Sequence, residues 1–208
     1  MKKSIKTFLK HPTKDSSNRS ANPAVIRAST ILFNTMQELY QHEKKIKKHQ
    51  KVSHYSYGRY GSSTTIELEN ILKELEQAFH VFLTGTGFGG VALAVMSLCR
   101  PGDEILVSDN VYGPTKEISE KLLKEFDVNA NFYNPDSFED LKNKVTKKTK
   151  MILVENPGSN TFEFQDLSKI VNLAKKKKIF TFLDNTWGTP LYLKPLNLGF
   201  DMSFSSAT

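Results

Sequence analysis

From Thr64 onward, short apolar runs alternate with stretches whose apolar residues recur at helical spacing. This alternation constrains the fold more than any other feature. Thr64-x-x-Glu67 reads as a capping box, and Leu68, Ile71, Leu72, Leu75 and Phe79 then line one face of a helix. Strand-like runs follow at residues 81–84, 104–108, 131–133, 151–154 and 180–183, and a last one leads into 205–208. Helical stretches are expected at 115–125, 136–145 (with Asp136 as cap) and 166–177, and an apolar helix runs from the glycine loop through Leu98. The pattern predicts an α/β domain with a mainly parallel sheet. Ligands bind such sheets outside the carboxyl ends of the strands. Residues 84–90, 108–112, 155–161, 184–187 and 205–208 all follow expected strands, so they converge on one edge whatever the strand order.

The first 60 residues are of another kind. They are polar and punctuated, and His11-Pro12 and Asn22-Pro23 favour extended or turn backbone. Residues 24–33 read as a strand-like arm, and 37–51 as a helix running into a basic loop. Such a segment has little to bury on its own and is expected to lie across another surface, such as a second subunit. The expected division is an N-terminal arm at 1–60 and the front portion of the α/β domain at 61–208.

Composition excludes several classes. With 38% hydrophobic and 25% charged residues, the chain has the makeup of a soluble globular protein. No apolar run approaches the ~20 residues of a membrane span, so no membrane partner is expected. The basic opening lacks the apolar core of a secretory signal. Cys99, the single cysteine, rules out an internal disulfide and suits a reducing cytosol, so the expected address is cytoplasmic. The net charge of +7 is concentrated in Lys runs near residues 44–51, 147–150 and 175–178. No nucleic-acid-reading module or interleaved aromatics accompany them; they read as solvated helix flanks, and no nucleic-acid partner is expected.

Two stretches carry chemistry. The run 180–183 ends in Asp184, as a buried parallel strand does when it delivers a carboxylate to the sheet edge. The next run ends in Ser205-Ser206-Ala207-Thr208. A carboxylate at one strand end and hydroxyls at the next suit a cofactor with a cationic ring and a phosphate; equally, Asp184 caps a loop and the hydroxyls end a strand. The glycine loop also has two readings. Gly85-x-Gly87-x-x-Gly90, with Asp109 downstream, satisfies the dinucleotide fingerprint of a Rossmann oxidoreductase. Alternatively, the backbone N–H groups of Gly87 and Phe88 cradle a cofactor phosphate at a helix start. In that case Tyr112 stacks on a flat ring, Asp184 keeps a pyridinium nitrogen protonated, and Ser206 and Thr208 complete the phosphate site. A third reading, a binding module without catalysis, also stays open.

Several motifs in order carry a resemblance. They are Tyr57-Gly58-Arg59-Tyr60-Gly61, the glycine loop, Pro101-Gly102-Asp103 and Asn110-Val111-Tyr112-Gly113-Pro114. Glu155-Asn156-Pro157-Gly158-Ser159-Asn160-Thr161, Asp184-Asn185-Thr186-Trp187 and Ser206-Ala207-Thr208 follow. Together they resemble the Cys/Met-metabolism family of pyridoxal-phosphate (PLP) enzymes. The resemblance implies an aspartate-aminotransferase-like, fold type I large domain with an extended N-terminal arm. It covers about the front half of a usual member.

By that resemblance, Tyr57 and Arg59 reach the PLP phosphate of a neighbouring subunit, which implies a homo-oligomer, a tetramer of paired dimers. Gly87 and Phe88 bind phosphate through backbone N–H groups, as Ser206 and Thr208 do through hydroxyls. Tyr112 stacks on the ring and lies near an amino-acid substrate, in a catalytic as well as a cofactor-binding position. Asp184 partners the ring nitrogen. Asp-Asn-Thr-Trp and Pro-Gly-Ser-x-Thr lean towards β-elimination of cystathionine, giving homocysteine, pyruvate and ammonia. The γ-synthases, γ-lyases and O-acylhomoserine sulfhydrylases are the near alternatives. The family's Schiff-base lysine would come immediately after Thr208, and its substrate-carboxylate arginine later still. The expectation is therefore a truncated piece, inactive by itself.

Overall fold

A computed structural model describes residues 23–48, 50, 52 and 54–207. The chain forms two compact units, divided between Leu83 and Thr84.

In the first unit, helix α1 (Met36–Lys47) is capped by Thr35, whose side chain accepts from the Glu38 N–H. Lys44, Lys45 and Lys47 fill its last turn, where cations meet the carbonyl end of the helix. Helix α2 (Ser63–Glu76) starts earlier than its sequence suggests. Ser62 is the N-cap, and Ser62 and Thr65 form the capping box in place of Thr64 and Glu67. The reason is local: the Thr64 hydroxyl donates to the Ala24 carbonyl and accepts from the Ile26 N–H, so it ties residues 24–26 to the helix. The expected strand at 24–33 does not form; its ladder is a single antiparallel bridge between Thr30 and Tyr57. Gly58 lies beside that bridge and donates to the Ser29 carbonyl, and a Cβ there would collide with the Ala28 carbonyl oxygen.

The second unit is built on five parallel strands. These are β1 (Glu104–Ser108), β2 (Asn129–Tyr133), β3 (Thr149–Glu155), β4 (Phe180–Asp184) and β5 (Met202–Phe204), in the order β2-β1-β3-β4-β5. Because side chains alternate along a strand, each central strand feeds two cores. Ile105, Val107, Met151, Leu153 and Phe182 pack on one face with Val91, Val95, Ile118 and Leu123. Leu106, Ile152, Val154 and Leu183 pack on the other with Leu141, Ile170, Val171 and Ala174. The first face is covered by α3 (Gly87–Leu98) and α4 (residues 113–125), the second by α5 (Phe138–Lys144) and α6 (Leu167–Lys177). Two short helices, α7 (Thr189–Tyr192) and α8 (Pro195–Leu198), lead into β5.

Three elements differ from expectation. No strand forms at 81–84; the segment finds no ladder partner among the described residues and leaves Phe82 exposed. Helix α4 contains a π-turn, Ile118–Leu122, inside the expected helical span. Ser137, not Asp136, caps α5, accepting from the Asp140 N–H. Helix α6 begins as expected, with Asp166 accepting from the Lys169 N–H.

Candidate cofactor site

Parallel pairing puts the carboxyl ends of β1, β3, β4 and β5 on one edge, and the sequence supplies polar groups there. β3 ends in Glu155 and β4 in Asp184, which are register partners. Both are buried, at 3% and 7% exposure. Among the described residues, neither pairs with a lysine or arginine.

The Asp184 Oδ1 accepts from the Thr186 N–H at 3.0 Å and the Thr186 hydroxyl at 2.6 Å. Its Oδ2 takes no hydrogen bond among the described residues. Burial pushes its carboxyl above the ordinary range, although the two Thr186 bonds oppose the shift. The Glu155 Oε2 accepts from the Tyr112 N–H at 2.7 Å. Burial, then the neighbouring Asp184 charge, pushes Glu155 up to about 7 against the pull of Tyr112 and Ser159. Two adjacent buried acids, one with an open oxygen, make an edge that lacks a cationic donor. A protonated pyridine nitrogen has that chemistry.

Beside the acids lies the start of α3. The Thr86 side chain caps it by accepting from the Gly89 N–H at 3.0 Å. The Gly87 and Phe88 N–H groups belong to the first turn, where a helix has no internal acceptor for them. A methyl group on Gly87 would lie 3.3 Å from the Ser206 Oγ and 3.4 Å from the Phe204 ring. The glycine therefore allows the helix start and the segment after β5 to approach. The Ser206 N–H donates to the Thr186 Oγ1 at 3.0 Å, and that hydroxyl donates to Asp184. Thr186 thus ties the candidate phosphate end to the candidate ring-nitrogen end. Thr208 lies outside the described residues.

Tyr112 precedes the first residue of α4, and its side chain is largely exposed. The loop that carries it is clamped to the loop after β3. The Asn110 carbonyl accepts from the Ser159 N–H at 2.9 Å, and the Asn110 Nδ2 donates to the Glu163 Oε2 at 3.2 Å. A Cβ on Gly158 would collide with the Asn110 side chain, so only glycine permits the clamp to close.

Tyr57 and Arg59 belong to the first unit. The Arg59 guanidinium lies over the Tyr57 ring at 5.1 Å and the Tyr60 ring at 5.3 Å, a cation–π arrangement with Tyr57 40% exposed. Of the sequence-nominated residues, the second unit brings Gly87, Phe88, Tyr112, Asp184 and Ser206 to one sheet edge. To these the structure adds Glu155 and Thr186, which stand in the sequence motifs without an assigned role. Glu155 had the same signal as Asp184, an acid closing a buried strand.

The dinucleotide reading of the glycine loop loses its two supports. No strand precedes the loop among the described residues, and Asp109 forms an ion pair with Lys116. The comparisons with known proteins agree. Residues 6–208 match the profile of the family described as Cys/Met metabolism PLP-dependent enzyme. The chain is 32% identical over 211 residues to a cystathionine β-lyase of Bordetella avium, covering 99% of this chain and 52% of that protein. It is 31% identical over 194 residues to an L-alanine/L-glutamate racemase of Wolbachia pipientis, covering 91% and 48%. The crystal structure of cystathionine γ-lyase from Lactobacillus plantarum, complexed with L-serine, shares the fold. Its TM-score is 0.84 at 24% identity, over 97% of this chain and 49% of that one. The chain spans about half the length of the curated relatives it matches.

Proposed function

We propose that this chain, which belongs to the Cys/Met metabolism family of PLP-dependent enzymes, forms the cofactor cradle of a carbon–sulfur lyase that splits cystathionine by β-elimination. The observation that carries the reading is Asp184: a buried carboxylate at a strand end, with one oxygen open and the other tied through Thr186 to Ser206.

PLP, when bound, supplies an electron-accepting ring that acidifies the Cα of an amino acid. The protein's part is binding and electrostatics. Asp184 holds the ring-nitrogen proton through a charge-assisted hydrogen bond, and Thr186 fixes the orientation of that carboxylate. Gly87 and Phe88 donate backbone N–H groups to the phosphate, with Ser206 and Thr208 adding hydroxyls. Tyr112 would offer its aromatic face to the ring and would border the substrate. Tyr57 and Arg59 serve the phosphate of a neighbouring subunit in a homo-oligomer, a tetramer of paired dimers, in the cytoplasm. The net reaction takes cystathionine and water to homocysteine, pyruvate and ammonia. The lean to β-elimination rests on the Asp184–Trp187 and Pro157–Thr161 motifs and on the β-lyase relatives.

The test is the product set formed from cystathionine by the protein that carries this chain. Pyruvate with homocysteine is the expected pair. 2-Oxobutyrate with cysteine would move the assignment to γ-elimination. Inversion of an amino acid's Cα without pyruvate would replace the lyase by a racemase.

A further inference from the structure

Glu155 is the one buried acid at the sheet edge that the proposed cofactor chemistry does not use. It sits at the centre of the hydrogen bonds that shape that edge. Its Oε2 receives the Tyr112 N–H at 2.7 Å. Its own N–H donates to the Ser108 Oγ at 3.3 Å, and its carbonyl accepts from the Gln165 Nε2 at 3.2 Å. The Tyr133 hydroxyl closes the network on the Gln165 Oε1 at 2.7 Å. The backbone of Glu155 is thus fixed from both sides, and its carboxylate is the arm that reaches Tyr112.

We propose that Glu155 is a positioning residue: its charged carboxylate holds the Tyr112 backbone, and with it the aromatic ring at the mouth of the cradle, and a proton on Glu155 loosens that hold by turning a charge-assisted bond into a neutral one. The part of this that concerns the ring's service to a cofactor rests on the PLP reading; the carboxylate–amide switch does not.

Glu155 is the acid that touches the Tyr112 N–H, and charged or titratable groups face it from each neighbouring element. Asp184 faces it from β4 as its register partner. Glu163, in the loop after β3, is bonded to Thr161 and Asn110, and those bonds hold it below the ordinary carboxyl range, so it stays charged. Tyr133, from β2, is pushed far up by burial and stays neutral. Asp109 and Lys116, beyond β1, pair with each other. Glu155 itself is raised to about 7, first by burial and then by the Asp184 charge. A cation held by Asp184 cancels that second cause, so loading the cradle with a cationic ring favours the charged Glu155 and tightens the grip on Tyr112.

The Tyr112 amide proton reports the state of its acceptor directly, and a 23.6 kDa chain is within reach of nitrogen-15 NMR. The 208-residue chain is titrated from pH 5 to pH 9 while the Tyr112 amide resonance is followed. It is expected to move with a midpoint near 7. In Glu155→Gln, whose amide oxygen still accepts the bond, the profile goes flat. In Asp184→Asn the profile persists with a lower midpoint. Added PLP lowers the wild-type midpoint by about one unit.

A flat wild-type profile overturns the proposal. So does a profile that survives in Glu155→Gln and vanishes in Asp184→Asn, which would give the proton to Asp184. The wild-type titration decides the matter even where Glu155→Gln does not fold. Should PLP leave every resonance unmoved while the Tyr112 amide still titrates, the cofactor reading falls and the switch stands.

Discussion

Asp184→Ala is expected to weaken PLP binding by this chain roughly 10–100-fold, the worth of a charge-assisted hydrogen bond of about 1.5–3 kcal/mol. Trp187, the single tryptophan, follows the acid by three residues and packs edge-on against Phe162, so quenching of its emission reads the affinity. The same substitution is expected to leave the thermal unfolding midpoint unchanged or raise it at neutral pH. The sign follows from the direction of the shift. A carboxyl raised in the folded state binds its proton more tightly there than in the unfolded chain. Above its unfolded value of 3.8, ionisation therefore costs stability as pH rises. Removing the acid removes that cost while removing the proposed partner of the cofactor. Loss of affinity together with a large drop in stability would point instead to a structural acid.

Leu183→Ala should have the opposite signature. Leu183 is fully buried, adjoins Asp184 on β4 and packs in the core shared with α5 and α6. Its truncation removes buried methyl groups and leaves a cavity the sheet can only partly close, at a cost of about 2–5 kcal/mol. Against a typical total of about 5–15 kcal/mol, that is a large fraction of the fold's stability. Denaturant melts of the second unit's signals measure it. Since Asp184 points away from that core, PLP affinity under native conditions is expected to fall far less than in Asp184→Ala. A loss below about 1 kcal/mol would mean that β4 is not an inner strand packed on both faces.

The contrast between these two neighbours shows why so much of the sheet was legible. An apolar, β-branched run closed by an acid specifies a buried strand and a functional end together, and 180–184 behaves that way. The same logic applies to 149–155, and 155–161 is expected at the same edge, yet the sequence assigns Glu155 no role of its own, because an acid before Asn-Pro-Gly also reads as ordinary loop chemistry. Its importance comes from Tyr112, 43 residues earlier in sequence, and no local pattern announces that bond. Thr186 is hard to read for the same reason, since it joins Asp184, two residues before it, to Ser206, 20 residues after it. The failed strands at 24–33 and 81–84 show the reverse limit. β-branched and aromatic residues suit a strand, but a strand exists only where a partner offers its ladder, and among the described residues these segments find none beyond one bridge. Cap positions shifted where side chains found other partners, as Thr64 did with Ala24 and Ile26.

In the proposed function the start of α3 and the ends of β4 and β5 form one PLP cradle. Backbone amide shifts of the 208-residue chain on addition of PLP test it most directly. Saturable movement of the Gly87, Phe88, Thr186 and Ser206 amides together is expected, with NADH at the same concentration moving none of them. Shifts produced by NADH and not by PLP, or PLP shifts confined to the lysine-rich helix ends, would contradict it.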